Sequence, residues 1–277
     1  MTTILYCADR ELQIVSGAPR RDGLFLSAAH REALPEGVIR DGKILDELEF
    51  KGTLLSLRER RLLPRGGVEL VLSPAAVETR RISAPRMAER KLRQLAKNEF
   101  LGETEYICDY AVLARGSGGD VLLCGGVETE LLDGYREAFC AAGVSLRRAD
   151  GAPGALARFA QWCFPEETLC LGVLEQEFCY LLQLRGGVFS SAKLYRGTEP
   201  REALRDFAEP ESRVLLCGAD EGRACDAALM EWGAGAGLRL SRLELPARVE
   251  SENPEGRSPA LICAIAALIR EGVRRDG

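Results

Sequence analysis

The residue types that most often carry out catalysis are sparse in this sequence. Histidine occurs once, as His30, in a polar stretch between apolar runs. It is expected to lie in a solvated loop or at a helix end. Because there is one histidine, sites that need two or three imidazoles, as most zinc and iron hydrolase sites do, are excluded. Carboxylates are numerous, but no pair stands in a setting that would separate their pKa values. We therefore predict no catalytic residue.

Ten cysteines raise the question of a metal site or a disulfide framework. No two of them are spaced as Cys-x-x-Cys, and the single histidine is not beside any of them. Most stand inside apolar runs, for example Cys124, Cys170, Cys217 and Cys263. A reduced cysteine in such a run behaves as a small buried hydrophobic residue. The cysteines are therefore expected to be structural, and no metal or cofactor is expected.

Two glycine-containing stretches look like nucleotide-binding motifs but fail on inspection. Gly37–Lys43 fits the first seven positions of a phosphate loop, but Ile44 stands where a magnesium-binding serine or threonine is needed. Gly233–Leu238 is rich in glycine, but it follows a predicted helix and precedes a predicted strand. The dinucleotide fingerprint requires the reverse order. The first stretch is expected to be a turn, and the second is expected to connect a helix to a strand.

Length, charge and apolar runs limit the class of protein. The 277 residues carry a formal net charge of −5, which gives no electrostatic footprint for nucleic acid. The longest apolar run, Ala260–Ile269, is about half of the ~20 residues that a membrane-spanning helix needs. The first residues have neither the basic nor the apolar region of a signal peptide. A soluble, cytoplasmic protein is predicted.

Segments in which apolar and polar residues alternate are followed along the chain by segments with helical periodicity. This order predicts an α/β fold. Strands are predicted at Thr3–Cys7, Leu12–Ser16, Leu24–Ser27, Val68–Leu72, Val77–Ala84, Tyr106–Ala114, Asp120–Val127, Val144–Arg148, Leu169–Leu174, Glu177–Leu184, Val188–Tyr195, Val214–Gly218 and Leu238–Leu245. Helices are predicted at Glu47–Arg61, Met87–Phe100, Thr129–Ala142, Gly151–Phe164, Pro200–Phe207, Gly222–Trp232 and Ala260–Val273. A polar loop is predicted at Pro246–Gly256.

The order of several segments resembles the PilM family of actin-like type IV pilus assembly proteins. The sequence LPEGVIRDGKILD at residues 34–46 resembles one stretch of that family. It is followed by the strand Val68–Leu72 and by the stretch Val77–Met87, VETRRISAPRM. The helix that ends at Phe100, the stretch Asp109–Leu113 within a predicted strand and the sequence Ala-Gly-Val at 142–144 continue in the same order. The resemblance covers most of residues 34–150.

This resemblance implies a two-lobed actin-like fold of the FtsA type, with an inserted IC-type subdomain. By family order, residues 1–76 would form subdomain IA and residues 77–150 would form IC. Residues 151–277 would form IIA, with the last helix returning toward IA. Only residues 196–212 separate the second hairpin from the next strand, so subdomain IIB is expected to be reduced or absent.

The nucleotide loops of the family are altered in this chain. The family's first phosphate loop reads G-x-D-x-G, whereas residues 6–11 here read YCADRE. The aspartate and glycine positions of the second loop read Gly172 and Leu174, and the adenosine motif keeps one of two glycines, Gly218. These losses predict a pseudo-ATPase that is not an enzyme. The alternative is an actin-like ATP-binding protein or ATPase with relaxed loops, in which Asp9 takes the metal-organising role.

By resemblance, the chain would be a scaffold of a type IV pilus or a related secretion platform, peripheral to the inner face of the cell membrane. Its partner would be the N-terminal tail of a PilN-like bitopic membrane protein, held in a groove between IA and IC. Contact with a pilus assembly ATPase and self-association are left open.

The groove is predicted along Val77–Ala84, since an exposed strand edge can accept an extended tail through main-chain hydrogen bonds. The predicted partner-binding residues are Arg80, Arg81, Arg86 and Met87. In the alternative interpretation Arg80 and Arg81 are merely solvated and Met87 belongs to the core.

Overall fold

A computed structural model gives the fold and describes residues 1–102, 104–220, 222 and 226–269. Its strands are β1 Thr2–Cys7, β2 Glu11–Arg20, β3 Gly23–Ala33, β4 Ile39–Arg40, β5 Lys43–Ile44, β6 Val68–Leu72, β7 Glu78–Ala84, β8 Tyr106–Gly116, β9 Gly119–Glu128, β10 Leu146–Gly151, β11 Leu169–Leu174, β12 Phe178–Arg185, β13 Val188–Arg196, β14 Arg213–Cys217, β15 Arg239–Arg242 and β16 Val249–Ser251. Its helices are α1 Glu47–Glu59, α2 Glu89–Asn98, α3 Thr129–Ala141, α4 Ala152–Cys163, α5 Pro200–Phe207, α6 Ala227–Gly235 and α7 Ile262–Ala266.

The chain divides into two compact units. Unit A comprises Thr2–Ile14 and His30–Ala155, and unit B comprises Met1, Val15–Ala29 and the chain from Leu156 onward. The strands β2 and β3 and the helix α4 each run from one unit into the other. The division into subdomains at residues 76 and 150 stays a prediction.

Unit A is built on parallel strands covered by two helices. The strands β10, β6 and β1 pair in parallel, and Leu70 of β6 lies between Leu5 and Ala149. Strands of this kind are buried and read as near-continuous apolar runs, as residues Ile4–Cys7 of β1 do. The rings of Phe50 on α1 and Tyr135 on α3 meet edge to face, with centroids 5.7 Å apart. These helices and strands form the largest apolar core of unit A.

A three-stranded antiparallel sheet in the order β7-β9-β8 forms the second part of unit A. Leu92 and Ala96 of α2 pack on Leu122 and Cys124 of the central strand β9. Strands β8 and β9 form a hairpin, in which Gly116 at the end of β8 pairs with Gly119 at the start of β9. The predicted strand and hairpin between Val77 and Val127 are confirmed, and β7 is an edge strand.

Unit B contains a five-stranded sheet in the order β13-β12-β11-β14-β15. Strand β11 pairs antiparallel with β12 and parallel with β14. Ala203 and Leu204 of α5 and Leu229 of α6 belong to the core on one face of this sheet. Between β13 and β14 the chain forms one helix, α5, of eight residues. This agrees with the prediction that a IIB subdomain is reduced or absent.

Several predicted elements need correction. Strands β2 and β3 are longer than predicted, so His30 lies in β3, and its prediction as a loop or helix-end residue was wrong. The predicted loop at Pro246–Gly256 contains β16, which pairs in parallel with Leu24–Leu26. Strand β16 was missed because its three residues are too few to show a strand period, and because its partner strand lies far away along the chain.

Two predicted helices extend outside the described residues. The last one begins as a 3₁₀ turn and continues as α7, and its predicted part from residue 270 to Val273 lies outside the described residues. The helix predicted at Gly222–Trp232 includes residues 223–225, which also lie outside them, and its described part begins at Ala227. Within the described ranges, no helix is long and apolar enough to cross a membrane.

The turn between β12 and β13 offers a test of the packing in unit B. Gly187 has a φ of +71°, and a Cβ there would overlap the Pro165 carbonyl group. Gly187→Ala is therefore expected to lower the free energy of unfolding by about 3 kcal/mol, measured by urea denaturation. The matched control is Gly186→Ala, where φ is +56° and nothing lies within 4 Å. This variant should lose only about 1 kcal/mol, through left-handed strain. Equal losses would contradict the packing argument.

Candidate functional site

The first candidate site is the turn between β1 and β2, where the resemblance places a phosphate loop. The Ala8 N–H donates to the Glu11 carbonyl at 3.0 Å, which closes a tight turn around Asp9. Tyr6 and Cys7, which lead into the turn, are fully buried. The carboxylate of Asp9 is itself only slightly exposed, since the residue retains 6% of its accessible surface.

Both carboxylate oxygens of Asp9 accept main-chain hydrogen bonds. Oδ2 accepts the N–H of Asp41 at 2.8 Å, and Oδ1 accepts the N–H of Gly42 at 3.1 Å. Asp41 and Gly42 form the turn between β4 and β5, with φ values of 51° and 74°. The Tyr135 hydroxyl donates to the Gly42 carbonyl at 2.9 Å. Asp9 therefore holds a hairpin turn in place.

The rest of the PilM-like stretch at residues 34–46 also has structural roles. Gly37 has a φ of +85°, and Val38 and Ile39 are buried in the core of unit A. Asp46 caps α1, because its Oδ1 accepts the Glu49 N–H at 3.0 Å. This part of the resemblance is thus a hairpin, held by Asp9, and a helix cap.

The second loop position and the adenosine position lie in unit B and are closely packed. Gly218 has a φ of +119°, and a Cβ there would overlap the main chain of Leu174. The Leu174 carbonyl accepts the Asp220 N–H at 3.2 Å, and the Gly218 N–H donates to the Pro259 carbonyl at 3.3 Å. A side chain at position 218 would overlap the Leu174 main chain, so the packing of this chain itself requires glycine there.

The three predicted partner-binding arginines, two on β7 and one just after it, fall into two groups. The side chain of Arg80 is held by its own unit: its guanidinium lies 5.0 Å from the centre of the Phe100 ring and donates to the Glu99 carbonyl. Glu78, two residues earlier on the strand, accepts the Tyr106 hydroxyl at 2.6 Å. This hydrogen bond is the main reason that the pKa of Tyr106 rises to about 12. Arg80 therefore covers the ring of Phe100, whose centre lies 5.7 Å from that of Tyr106.

Arg81 and Arg86 differ from Arg80. All three arginines are exposed, but neither Arg81 nor Arg86 forms an ion pair or a hydrogen bond with another described side chain. Met87 is half-buried and packs against the core between α2 and the three-stranded sheet. The structure thus leaves two of the four predicted residues, Arg81 and Arg86, accessible to a partner at the edge strand β7.

His30 takes part in a small charged network. Its Nε2 lies 2.7 Å from Oε2 of Glu32, and Arg60 donates to both Glu32 oxygens at 2.8 and 2.9 Å. The hydrogen bond from His30, followed by that from Arg60, lowers the pKa of Glu32. This arrangement is an ion-paired cluster on unit A and includes no nucleophile.

The cysteines and carboxylates of the described residues form no metal centre: no group of three or more histidine, cysteine, aspartate or glutamate side chains is placed to bind an ion. Burial raises the pKa of the Cys124 thiol to about 11 and that of Cys170 to about 12. The reactive thiolate form is therefore disfavoured at neutral pH. Cys225 lies outside the described residues.

Several solved structures share this fold. A chain of a PilM-PilN type IV pilus biogenesis complex matches 96% of this chain and 97% of its own, with a TM-score of 0.76 and 18% identity. A Bacteroides thetaiotaomicron protein with an actin-like ATPase fold matches over 98% and 96%, with a TM-score of 0.56 and 11% identity. The cytoplasmic domain of EpsL, an inner membrane component of the Vibrio cholerae type II secretion system, matches over 96% and 94%, with a TM-score of 0.54 and 10% identity.

No protein-family model and no curated protein matches the sequence. The structural similarities confirm the predicted actin-like fold. They also confirm, at the level of the fold, the predicted resemblance to the PilM family.

The hydrogen bonds of Asp9 can be tested by substitution. Asp9→Ala removes both acceptors and leaves the N–H groups of Asp41 and Gly42 without them. The free energy of unfolding, measured by urea denaturation, is expected to fall by about 3 kcal/mol. Asp9→Asn keeps one acceptor oxygen and should lose less.

The matched control for this experiment is Asp22→Asn in the exposed turn between β2 and β3. It should change the free energy of unfolding by less than about 0.5 kcal/mol. If Asp9→Ala behaves like this control, the carboxylate does not hold the hairpin.

Proposed function

We propose that this chain is a non-enzymatic scaffold of a type IV pilus or a related secretion assembly platform. It works at the cytoplasmic face of the cell membrane and binds the N-terminal tail of a PilN-like bitopic protein. The observation that carries the proposal is the fold shared over nearly the whole chain with the PilM-PilN complex. The similarity to the EpsL domain, from another inner membrane assembly, points in the same direction.

The tail is proposed to add to the edge strand β7 of unit A. An edge strand presents unpaired N–H and C=O groups, which an extended peptide can satisfy. Arg81 and Arg86 flank this edge and would donate to carbonyl and carboxylate groups of the tail. Met87 would support the site from the core. Arg80 would act indirectly, through its contact with Phe100.

The proposal predicts that the double charge reversal Arg81→Glu with Arg86→Glu weakens tail binding about tenfold or more. The measurement is isothermal titration of the purified chain with a synthetic tail of the cognate PilN-like protein. Both residues are exposed, so the variant should fold as the unchanged chain does, which circular dichroism checks. The control is the reversal Arg61→Glu with Arg65→Glu, two exposed arginines away from β7.

Two results would contradict this proposal at different levels. If the unchanged, well-folded chain binds no PilN-like tail, the scaffold function is wrong. If the tail binds equally well to the unchanged chain and to the Arg81/Arg86 variant, the function stands and the location of the site is wrong.

An actin-like ATPase is the second candidate, because the fold is shared with a protein of actin-like ATPase fold and Asp9 stands at the turn of the first phosphate loop. For a metal-organising role Asp9 would have to release two main-chain hydrogen bonds. Gly218 likewise packs on its own chain. We therefore favour the scaffold.

This choice predicts that isothermal titration with ATP and magnesium gives no binding heat up to millimolar concentration, with or without the tail peptide. Low-micromolar affinity would overturn it. In that event the Asp9→Asn variant, if it folds, decides whether Asp9 takes part, because loss of affinity in that variant would assign the metal-organising role to this carboxylate.

A further inference from the structure

We propose that unit A carries a second contact with the membrane, a surface of four exposed arginines that binds the anionic head groups of phospholipids. This arginine surface consists of Arg58, Arg61, Arg65 and Arg147. The inference rests on the proposed function, in which the tail of a membrane protein holds the chain at the inner face of the membrane. It adds a direct contact with the lipid, through residues that the tail does not use.

Two segments form the arginine surface, and the sheet of unit A brings them together. Residues 58–67 lead from the end of α1 into β6, and residues 142–148 lead from the end of α3 into β10. Because β6 and β10 are parallel neighbours, both strands begin at the same edge of the sheet. A Cβ on Gly66 would lie 3.1 Å from Nη2 of Arg147. The guanidinium of Arg147 therefore lies against the turn that carries Arg65.

Arg58 joins the same surface from the end of α1. Its Nη1 donates to the Ala142 carbonyl at 3.1 Å, and a Cβ on Gly143 would lie 2.6 Å from that nitrogen. This contact places a positive charge near the carboxyl ends of α1 and α3, where it is favourable. Arg61, Arg65 and Arg147 lie beyond the helices, so helix ends do not account for them.

The charge of this surface is not neutralised within the described part of the chain. None of its four arginines forms an ion pair there, whereas Arg60 pairs with Glu32 and Arg148 lies 3.8 Å from Asp150. Glu59 is the single acidic residue among residues 58–67 and 142–148. The whole chain has a net charge of −5, so this surface departs from the average charge.

The apolar residues of the two segments identify the kind of partner. Leu63 and Val144 are buried in the core of unit A, and Leu62 and Leu146 pack against it. These four apolar side chains are thus directed to the core, and the exposed arginines supply the charge of the surface. Binding of a peptide relies on a few anchors in pockets, whereas attraction to an anionic membrane adds up over separate charges. Guanidinium groups also pair with two phosphate oxygens at once.

Vesicle sedimentation of the whole chain tests the proposal. We expect the chain to bind vesicles of equal parts phosphatidylcholine and phosphatidylglycerol, and not vesicles of phosphatidylcholine alone. Added salt should weaken the binding, because it screens exposed charges. Each arginine near such a membrane strengthens binding about fivefold, so Arg61→Glu with Arg65→Glu should weaken it about 30-fold or more.

The matched control is Arg81→Glu with Arg86→Glu, which changes the net charge equally but lies at β7. It should bind the vesicles as the unchanged chain does, while its tail affinity falls. If the Arg61/Arg65 variant folds poorly, Arg65→Gln with Arg147→Gln takes its place and should weaken vesicle binding by about the same 30-fold.

The outcomes separate this inference from the proposed function. Tail binding without vesicle binding overturns the inference and leaves the scaffold function intact. Vesicle binding that depends on Arg61 and Arg65, without tail binding, supports the inference and overturns the function. Equal losses in the two double variants overturn the inference, since overall charge would then account for the binding. Binding to soluble polyglutamate but not to vesicles overturns it in favour of an acidic protein.

Discussion

The carboxylate of Asp9 makes the contact on which unit A depends. Its two oxygens accept the N–H groups of Asp41 and Gly42, which lie 32 and 33 residues further along the chain. The turn that they hold is also bonded to Tyr135, and Tyr135 packs edge to face on Phe50. The first turn of the chain, the small hairpin and the two large helices are therefore connected through one buried charged group. A carboxylate accepting two N–H groups is among the stronger polar contacts in proteins.

This contact changes what the resemblance to actin-like proteins means for the chain. In that family the first loop uses glycine to bring its main chain close to phosphate. Here a side-chain carboxylate occupies the turn and is satisfied by main-chain N–H groups of the same unit. The Leu174–Gly218 contact in unit B is likewise made within the chain. The chain has the actin-like fold, and the two positions that the resemblance aligns with nucleotide loops make contacts within their own units.

Local patterns predicted elements whose partners are near in the chain, and missed contacts between distant segments. The hairpin of β8 and β9 and the strand β7 could be predicted because alternation and turn residues are visible in the sequence. Strand β16 could not, since its register is set by Leu24–Leu26. The Asp-Gly turn at residues 41–42 is a hairpin signal that could have been used. The hydrogen bonds between this turn and Asp9 could not be predicted, because they join residues that are far apart in the sequence.

The arginines of unit A show why single residues remained ambiguous. Arg80 and Arg81 are adjacent and chemically identical, yet strand alternation places their side chains on opposite faces of β7. One face meets Phe100 and α2, so Arg80 is held there although it is exposed, whereas Arg81 forms no ion pair or hydrogen bond with another described side chain. In the same way Arg60 is paired with Glu32, while Arg61, its neighbour, is unpaired among the described residues. An arginine held by its own chain offers less to a partner. What each arginine can bind therefore depends on the face of the element on which its side chain lies. A count of charges in the sequence does not show on which face each side chain lies.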